Sequence, residues 1–249
     1  MKIAYTLILI AFGSSLFAQV RIHAHNDYEK PQPLTNALSN KVFSVEADVF
    51  LVGSVLVVAH SPDQIKPDKT LTGLYIKPLV SLFQKNKGYL SSDTAYKVSL
   101  VIDIKEKGDL VLKNLEKLLQ PYRKFFDRSV NPHAVQVIIS GERGAITKWK
   151  SYQGYMFFDG RPTEQYDART LKKVAVISDS YQNYVGSDTL EIPAKLQTVI
   201  DNVHQQGKLL RLWGAPDNER AWAFLSKAGI DIINTDKVDE CRSFFEAKR

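Results

Sequence analysis

The sequence predicts a (β/α)8 barrel. Three observations point to it: eight short apolar runs flanked by turn residues, helix-like stretches between consecutive runs, and polar residues gathered at the C-terminal ends of the runs. The chain has 249 residues, a length such barrels fill as a single unit. No linker or low-complexity stretch divides it.

The candidate strands are Arg21 to His25, Ser44 to Leu51, Val98 to Lys105, Ala134 to Ser140, Gly154 to Gly160, Lys173 to Asp179, Lys208 to Gly214 and Ile230 to Asp236. Each is short, rich in β-branched or aromatic residues, and bounded by turn formers. Helical patterns fill the gaps: Pro33 to Ser39, Gly73 to Asn86, Asp109 to Phe126, Glu142 to Tyr152, Pro162 to Leu171, Ile192 to Gln206 and Asp217 to Ala228, with Lys237 to Ala247 closing the chain. Strict alternation predicts a parallel sheet. A doubly wound open sheet is the runner-up, but Asn26-Asp-Tyr-Glu-Lys-Pro follows the first strand where a Gly-rich phosphate turn would be needed. Val52 to Pro67 reads as a hairpin extension of the second strand that returns with His60 and a loop over the mouth.

The first eighteen residues have the layout of a secretory signal peptide: one Lys, about a dozen apolar residues, then small ones. The apolar stretch is shorter than the roughly 20 residues of a membrane span. The expectation is therefore a signal at 1–18, a barrel at 19–249, and export to a bacterial periplasm or secreted fraction. The lone Cys241 excludes an intramolecular disulfide. Removing the signal takes one Lys from a formal net charge of +6, leaving a mildly basic chain whose lysines alternate with acids along helical segments. That pattern argues against nucleic-acid binding.

Charged residues two apart carry the chemistry: His23 and His25, Glu46 and Asp48, Asp103 and Lys105. Period-two geometry aims both members of each pair at one side of a strand. With His60 they converge three carboxylates, imidazoles and an ammonium on one cavity. Glu46, Asp48 and Asp103 make an oxygen-rich site for a hard divalent cation, Mg²⁺ or Ca²⁺. No His-x-x-x-His or cysteine cluster favours zinc. His25 and His60 suit proton removal and proton donation, and Lys105 would oppose a phosphate. His23 shares the face of His25 at greater depth, a place from which to orient a ligand. The plainer alternative makes Glu46 and Asp48 a salt-bridge network with Lys105 and Arg211. His133 and His204 read as structural or exposed.

These residues resemble the glycerophosphodiester phosphodiesterase-like branch of the phosphatidylinositol-phospholipase-C-like barrels, which includes the spider-venom phospholipase D enzymes. The matching elements are Ala24-His25, Ser44-Val-Glu-Ala-Asp-Val, Leu56-Val-Val-Ala-His60, Ile102-Asp-Ile-Lys105 and Gly229-Ile-Asp-Ile-Ile-Asn-Thr-Asp236, in family order. The resemblance implies His25 and His60 as the acid-base pair, Glu46, Asp48 and Asp103 as metal ligands, Lys105 as a phosphate contact, and Trp213 as the residue closing the pocket. The family's His-Arg-Gly is replaced by His25-Asn26-Asp27, so its arginine is missing and Asn26 stands in its place. Arg161, or Arg143, could supply the lost contact. His-Asn-Asp-Tyr also resembles a subgroup that includes a fungal mitochondrial-inheritance protein.

The expected function is metal-dependent hydrolysis of a glycerophosphodiester or lipid-derived phosphodiester, with a small-molecule or lipid substrate, a transient membrane-surface contact and no protein partner implied. Leu71-Thr-Gly-Leu-Tyr-Ile76 is the candidate apolar mouth loop. A catalytically inactive barrel binding phosphorylated head groups or polyols, and a metal-dependent hydrolase of another bond, are the competing readings.

Overall fold

The computed structural model describes residues 20–186 and 191–248; the segment read as a signal peptide lies outside them. Its strands are β1 (Arg21–Ala24), β2 (Ser44–Val52), β3 (Val55–Val58), β4 (Ser99–Ile104), β5 (Gln136–Gly141), β6 (Met156–Gly160), β7 (Val174–Ser180), β8 (Leu209–Trp213) and β9 (Ile232–Thr235). Every one of them except β3 lies in a closed parallel barrel in which β1 pairs with both β2 and β9. Strand β3 is the expected hairpin return. It runs antiparallel to the outer end of β2, with Val49 opposite Val58 and Val52 opposite Val55.

Register makes the inward face explicit. Ser44, Glu46 and Asp48 of β2 lie opposite Ser99, Val101 and Asp103 of β4, which lie opposite Gln136, Ile138 and Ser140 of β5. The alternate residues Val45, Ala47, Leu100, Ile102, Val137 and Ile139 point outward into the main core shared with the helices. Inside the barrel, Val101, Ile138, Val176 and Ile232 form a separate small apolar cluster. The barrel interior is thus a packed plug on which the polar residues stand.

The helices are α1 (Thr35–Ser39), α2 (Lys77–Lys85), α3 (Gly108–Leu119), α4 (Arg123–Phe126), α5 (Ala168–Leu171), α6 (Ala194–Gln205), α7 (Glu219–Ala228) and α8 (Val238–Glu246). Several are shorter than their sequence patterns. Pro121 divides the stretch from Asp109 to Phe126, because proline cannot donate its backbone hydrogen bond, and a 3-10 turn at Gln120–Tyr122 separates α3 from α4. The stretch from Glu142 to Tyr152 yields only a 3-10 segment, Ile146–Ser151. Gly141 has φ +68, and a Cβ there would lie 2.3 Å from the Ile104 carbonyl, so the chain leaves β5 in a turn no other residue fits. Between Pro162 and Leu171 only α5 is helical; Asp167 caps it by accepting from the Thr170 amide at 2.7 Å.

Leu71-Thr-Gly-Leu-Tyr-Ile76 is not an exposed mouth loop. Leu71, Tyr75 and Ile76 are wholly buried, and Thr72–Ile76 is a π-helical turn leading into α2. Cys241 is buried with a free thiol. Among the described residues no helix is long and apolar enough to cross a membrane.

Candidate active site

The polar residues sort into two tiers along the barrel axis. At the lower tier His23 is completely buried, its Nδ1 2.8 Å from Ser44 Oγ and its Nε2 2.7 Å from Glu46 Oε2. Arg211 of β8, also buried, places one Nη 2.6 Å from His23 Nε2 and donates from it to Glu46 Oε2 at 3.2 Å, while its other Nη donates to Asp159 Oδ2 at 3.0 Å. Burial, and then the Arg211 charge, hold His23 down to about 4, so this imidazole is neutral. Burial opposes the charge on Glu46, but the His23 and Arg211 contacts outweigh it and keep the carboxylate well below its ordinary range.

The upper tier begins one pleat higher. His25 donates from Nδ1 to Asp236 Oδ1 at 2.8 Å, and its Nε2 lies 3.7 Å from Glu46 Oε1. Burial works against its charge, but the Asp236 hydrogen bond and the charges of Glu46 and Asp236 prevail and raise it above the usual imidazole value. The side chain is 31% exposed, within reach of a substrate. Asp217 fixes Asp236 in turn, accepting from its backbone amide at 2.8 Å.

His60 follows β3. The Ala59 amide donates to the Asp48 carbonyl at 3.2 Å, which carries His60 Nδ1 to 3.2 Å from Asp48 Oδ2 while leaving the side chain 53% exposed. Lys105 Nζ lies 2.6 Å from both Asp48 Oδ2 and Asp103 Oδ2. Burial and the neighbouring Glu46 charge push Asp48 up to about 6, against the pull of Lys105. Tyr28 Oη donates to Asp48 Oδ2 at 2.8 Å.

The structure therefore brings His23, His25, Glu46, Asp48, His60, Asp103 and Lys105 together, as the spacing implies. Both proposed salt-bridge partners also exist: Lys105 joins Asp48 to Asp103, and Arg211 joins Glu46 to Asp159. Asn26, in the left-handed conformation at φ 48, contacts protein groups, with Nδ2 3.1 Å from His25 Nδ1 and Oδ1 3.0 Å from Tyr28 Oη. Arg161 folds inward, donating to Gly160 O at 2.8 Å and Ser178 Oγ at 3.2 Å, with Asp159 Oδ2 at 3.2 Å. Arg143 is taken up by both carboxylate oxygens of Glu164 and by the Asp159 carbonyl, so it serves the loop. Trp213 ends β8 with 43% of its surface exposed. His133 packs on Tyr89 and His204 pairs with Asp231, both away from this group.

As the side chains stand, no three His, Cys, Asp or Glu among the described residues close into a ready metal cage, because Lys105 and Arg211 draw one oxygen of each carboxylate to themselves. The donor chemistry nonetheless suits a hard cation. Asp48 Oδ1 is buried without a hydrogen-bond partner, and Asp103 Oδ1 lies against Gly141, where a Cβ would approach to 2.9 Å. An orphaned carboxylate oxygen and an open cradle fit such an ion.

Tyr28, Asp236 and Asp159 complete the site and were not singled out by spacing. Asp236 does end the Thr-Asp motif, a signal that marks its position but not its partner.

A family model described as an AIM6-like phosphodiesterase domain matches residues 14–159. An altered inheritance of mitochondria protein 6 homolog from Arthroderma benhamiae is 26% identical, over 91% of this chain and 84% of that protein. Among solved structures, a glycerophosphoryl diester phosphodiesterase from Parabacteroides distasonis superposes with a TM-score of 0.57 at 14% identity, covering 92% of this chain and 87% of that one. A Ca²⁺-dependent phosphatidylinositol-specific phospholipase C from Streptomyces antibioticus superposes with a TM-score of 0.54 at 11% identity, covering 91% and 95%. The shared architecture is the closed parallel β/α barrel. One expectation is overturned: the matching proteins of the mitochondrial-inheritance group are fungal, so a bacterial periplasmic or secreted location is withdrawn.

Proposed function

Since the chain belongs to the AIM6-like phosphodiesterase domain family and is a phosphoric diester hydrolase, we propose that it cleaves a glycerophosphodiester or a lipid-derived phosphodiester with His25 and His60 as acid and base. The observation that carries this reading is that each histidine is clamped through Nδ1 by its own carboxylate, His25 by Asp236 and His60 by Asp48, with Nε2 left for substrate.

His25, held protonated by Asp236, gives its Nε2 proton to the departing alkoxide oxygen as the P–O bond to it breaks. His60 Nε2 takes the proton of the attacking hydroxyl, water or a neighbouring substrate hydroxyl, as the new P–O bond forms. Lys105, fixed between two carboxylates, presents its remaining N–H to a phosphoryl oxygen. Arg161 takes the part of the absent family arginine, and Trp213 forms the wall against the leaving group. Asn26 acts on His25 and Tyr28 in this scheme, and reaches substrate only through them. Glu46, Asp48 and Asp103 would hold a Mg²⁺ or Ca²⁺ ion, which when bound neutralises phosphate charge. His23 keeps Glu46 oriented from below.

The test is hydrolysis of bis(p-nitrophenyl) phosphate and glycerophosphocholine with Mg²⁺, Ca²⁺ or EDTA, alongside His25→Ala and His60→Ala. Turnover that EDTA abolishes, and that falls by about 10²- to 10⁴-fold in each variant, is the expected result. Undiminished turnover in either folded variant refutes the pair. Phosphate-labelled product analysis separates direct hydrolysis from a cyclic intermediate.

A further inference from the structure

The loop after β1 begins with Asn26 in the left-handed region, a conformation asparagine tolerates, and continues as a 3-10 turn at Asp27–Glu29. Asp27 anchors that turn. It is buried, and its Oδ2 accepts from the Leu34 amide at 2.7 Å and from Tyr75 Oη at 2.9 Å. The next residue, Tyr28, therefore has little freedom, and it is buried, with 5% of its surface exposed. Three groups surround its hydroxyl: Asp48 Oδ2 at 2.8 Å, Asn26 Oδ1 at 3.0 Å and His60 Nδ1 at 3.3 Å.

A phenol has one proton to donate. The shortest contact, and the only one to a carboxylate, is with Asp48, so that proton lies on the line to Oδ2. The phenol oxygen then faces His60 Nδ1 with a lone pair, and Asp48 Oδ2 faces the same nitrogen at 3.2 Å. Two acceptors converge on Nδ1. Were that nitrogen unprotonated, three lone pairs would crowd together beside a buried carboxylate, an arrangement the tautomer with Nδ1–H removes. We infer that Tyr28 is a positioning residue: with Asp48 it keeps the His60 proton on Nδ1 and leaves Nε2 as the free base. An isolated histidine side chain favours the opposite tautomer, so the protein must supply the bias. Asn26 lies between the two histidines, its Oδ1 3.0 Å from the phenol oxygen and its Nδ2 3.1 Å from His25 Nδ1. The role given to Nε2 rests on the acid-base reading above; the tautomer itself does not.

The experiment uses the full chain labelled with ¹⁵N-histidine, recorded at a pH where His60 is neutral and assigned against His60→Gln. The comparison is wild type, Tyr28→Phe and Tyr75→Phe, the last removing a buried phenol of the same size from the neighbouring Asp27 site. The wild type should show His60 protonated at Nδ1, Tyr28→Phe should move it toward the Nε2–H form, and Tyr75→Phe should leave it unchanged. On bis(p-nitrophenyl) phosphate, Tyr28→Phe should lose about 10- to 100-fold in kcat with KM unchanged, the usual effect of removing an orienting partner. A wild-type His60 carrying its proton on Nε2, or a Tyr28→Phe spectrum identical to wild type, overturns the inference whatever the rate. An equal change in Tyr75→Phe overturns it too, since the effect would then be general loosening. If the wild type turns over no probe, the acid-base reading fails while the nitrogen spectra still decide the tautomer.

Discussion

His23 and His25 sit two residues apart on one strand face, yet they belong to different regions. In the lower tier His23, Glu46, Arg211 and Asp159 are sealed between the apolar plug and the upper residues, and each ion faces an opposite ion at 3.2 Å or less. In the upper tier His25, Asp236, His60, Asp48 and Lys105 carry the same kinds of groups with one side open. Burial drives the lower imidazole down to about 4, whereas at the upper one the Asp236 hydrogen bond and the charges of Glu46 and Asp236 overcome burial and raise it. Depth by a single pleat thus separates groups locked into buried ion pairs from groups of the same kind left open on one side.

The strongest way to break the comparison is Arg211→Met. It leaves Glu46 and Asp159 buried without their shared cation, and should cost about 3–5 kcal/mol of stability, read from urea unfolding. A loss as small as that of an upper-tier substitution would mean that the lower tier is not structural. Next in size is Asp236→Asn. It removes the partner that raises His25, so the alkaline limb of the kcat profile should move to lower pH and activity fall about 10- to 100-fold, with stability nearly unchanged.

A third prediction concerns pH and the fold. The folded value of His23, about 4, lies below its ordinary 6.5, so the unfolded chain binds the proton first. His23 therefore contributes stability above pH 6.5 that is lost as pH falls toward 4. Asp48, raised from 3.8 to about 6, titrates with the opposite sign within nearly the same window. The informative measurement is the difference between wild type and His23→Asn, whose unfolding free energy should show a flatter decline below pH 6.5. Equal slopes would place His23 outside this account. The smallest effect belongs to Arg161→Ala, which should raise KM by roughly tenfold, the worth of one charge-assisted hydrogen bond, and leave kcat almost unaltered. An unchanged KM would return Arg161 to a purely structural role beside Asp159 and Ser178.

Much of this organisation is legible in residue order because strands impose it. A period of two places Glu46 with Asp48 and Asp103 with Lys105 on one face however the barrel is packed, and Val-Val-Ala before His60 marks the returning hairpin. Loop partners are less readable. Asn26 stands where the family arginine would be and invites a substrate role, but its left-handed backbone turns its amide to His25 and Tyr28. The helix-like stretch after β5 is mostly loop because Gly141 must pass the Ile104 carbonyl and Arg143 is held by Glu164. Leu71, Tyr75 and Ile76 look like an apolar rim in a linear reading, and pack inward in the fold.

The amino-acid order by itself determined the barrel and the inward row of charged and imidazole side chains, since alternation and strand count are local properties that survive without knowledge of contacts. Only the tertiary structure decided which charge serves which purpose. Asp236 reaches His25 across 211 positions of sequence and Arg211 reaches His23 across 188, and such pairings arise from closing the barrel, where depth and partner, rather than residue type, set whether a group is neutral, charged or free to react.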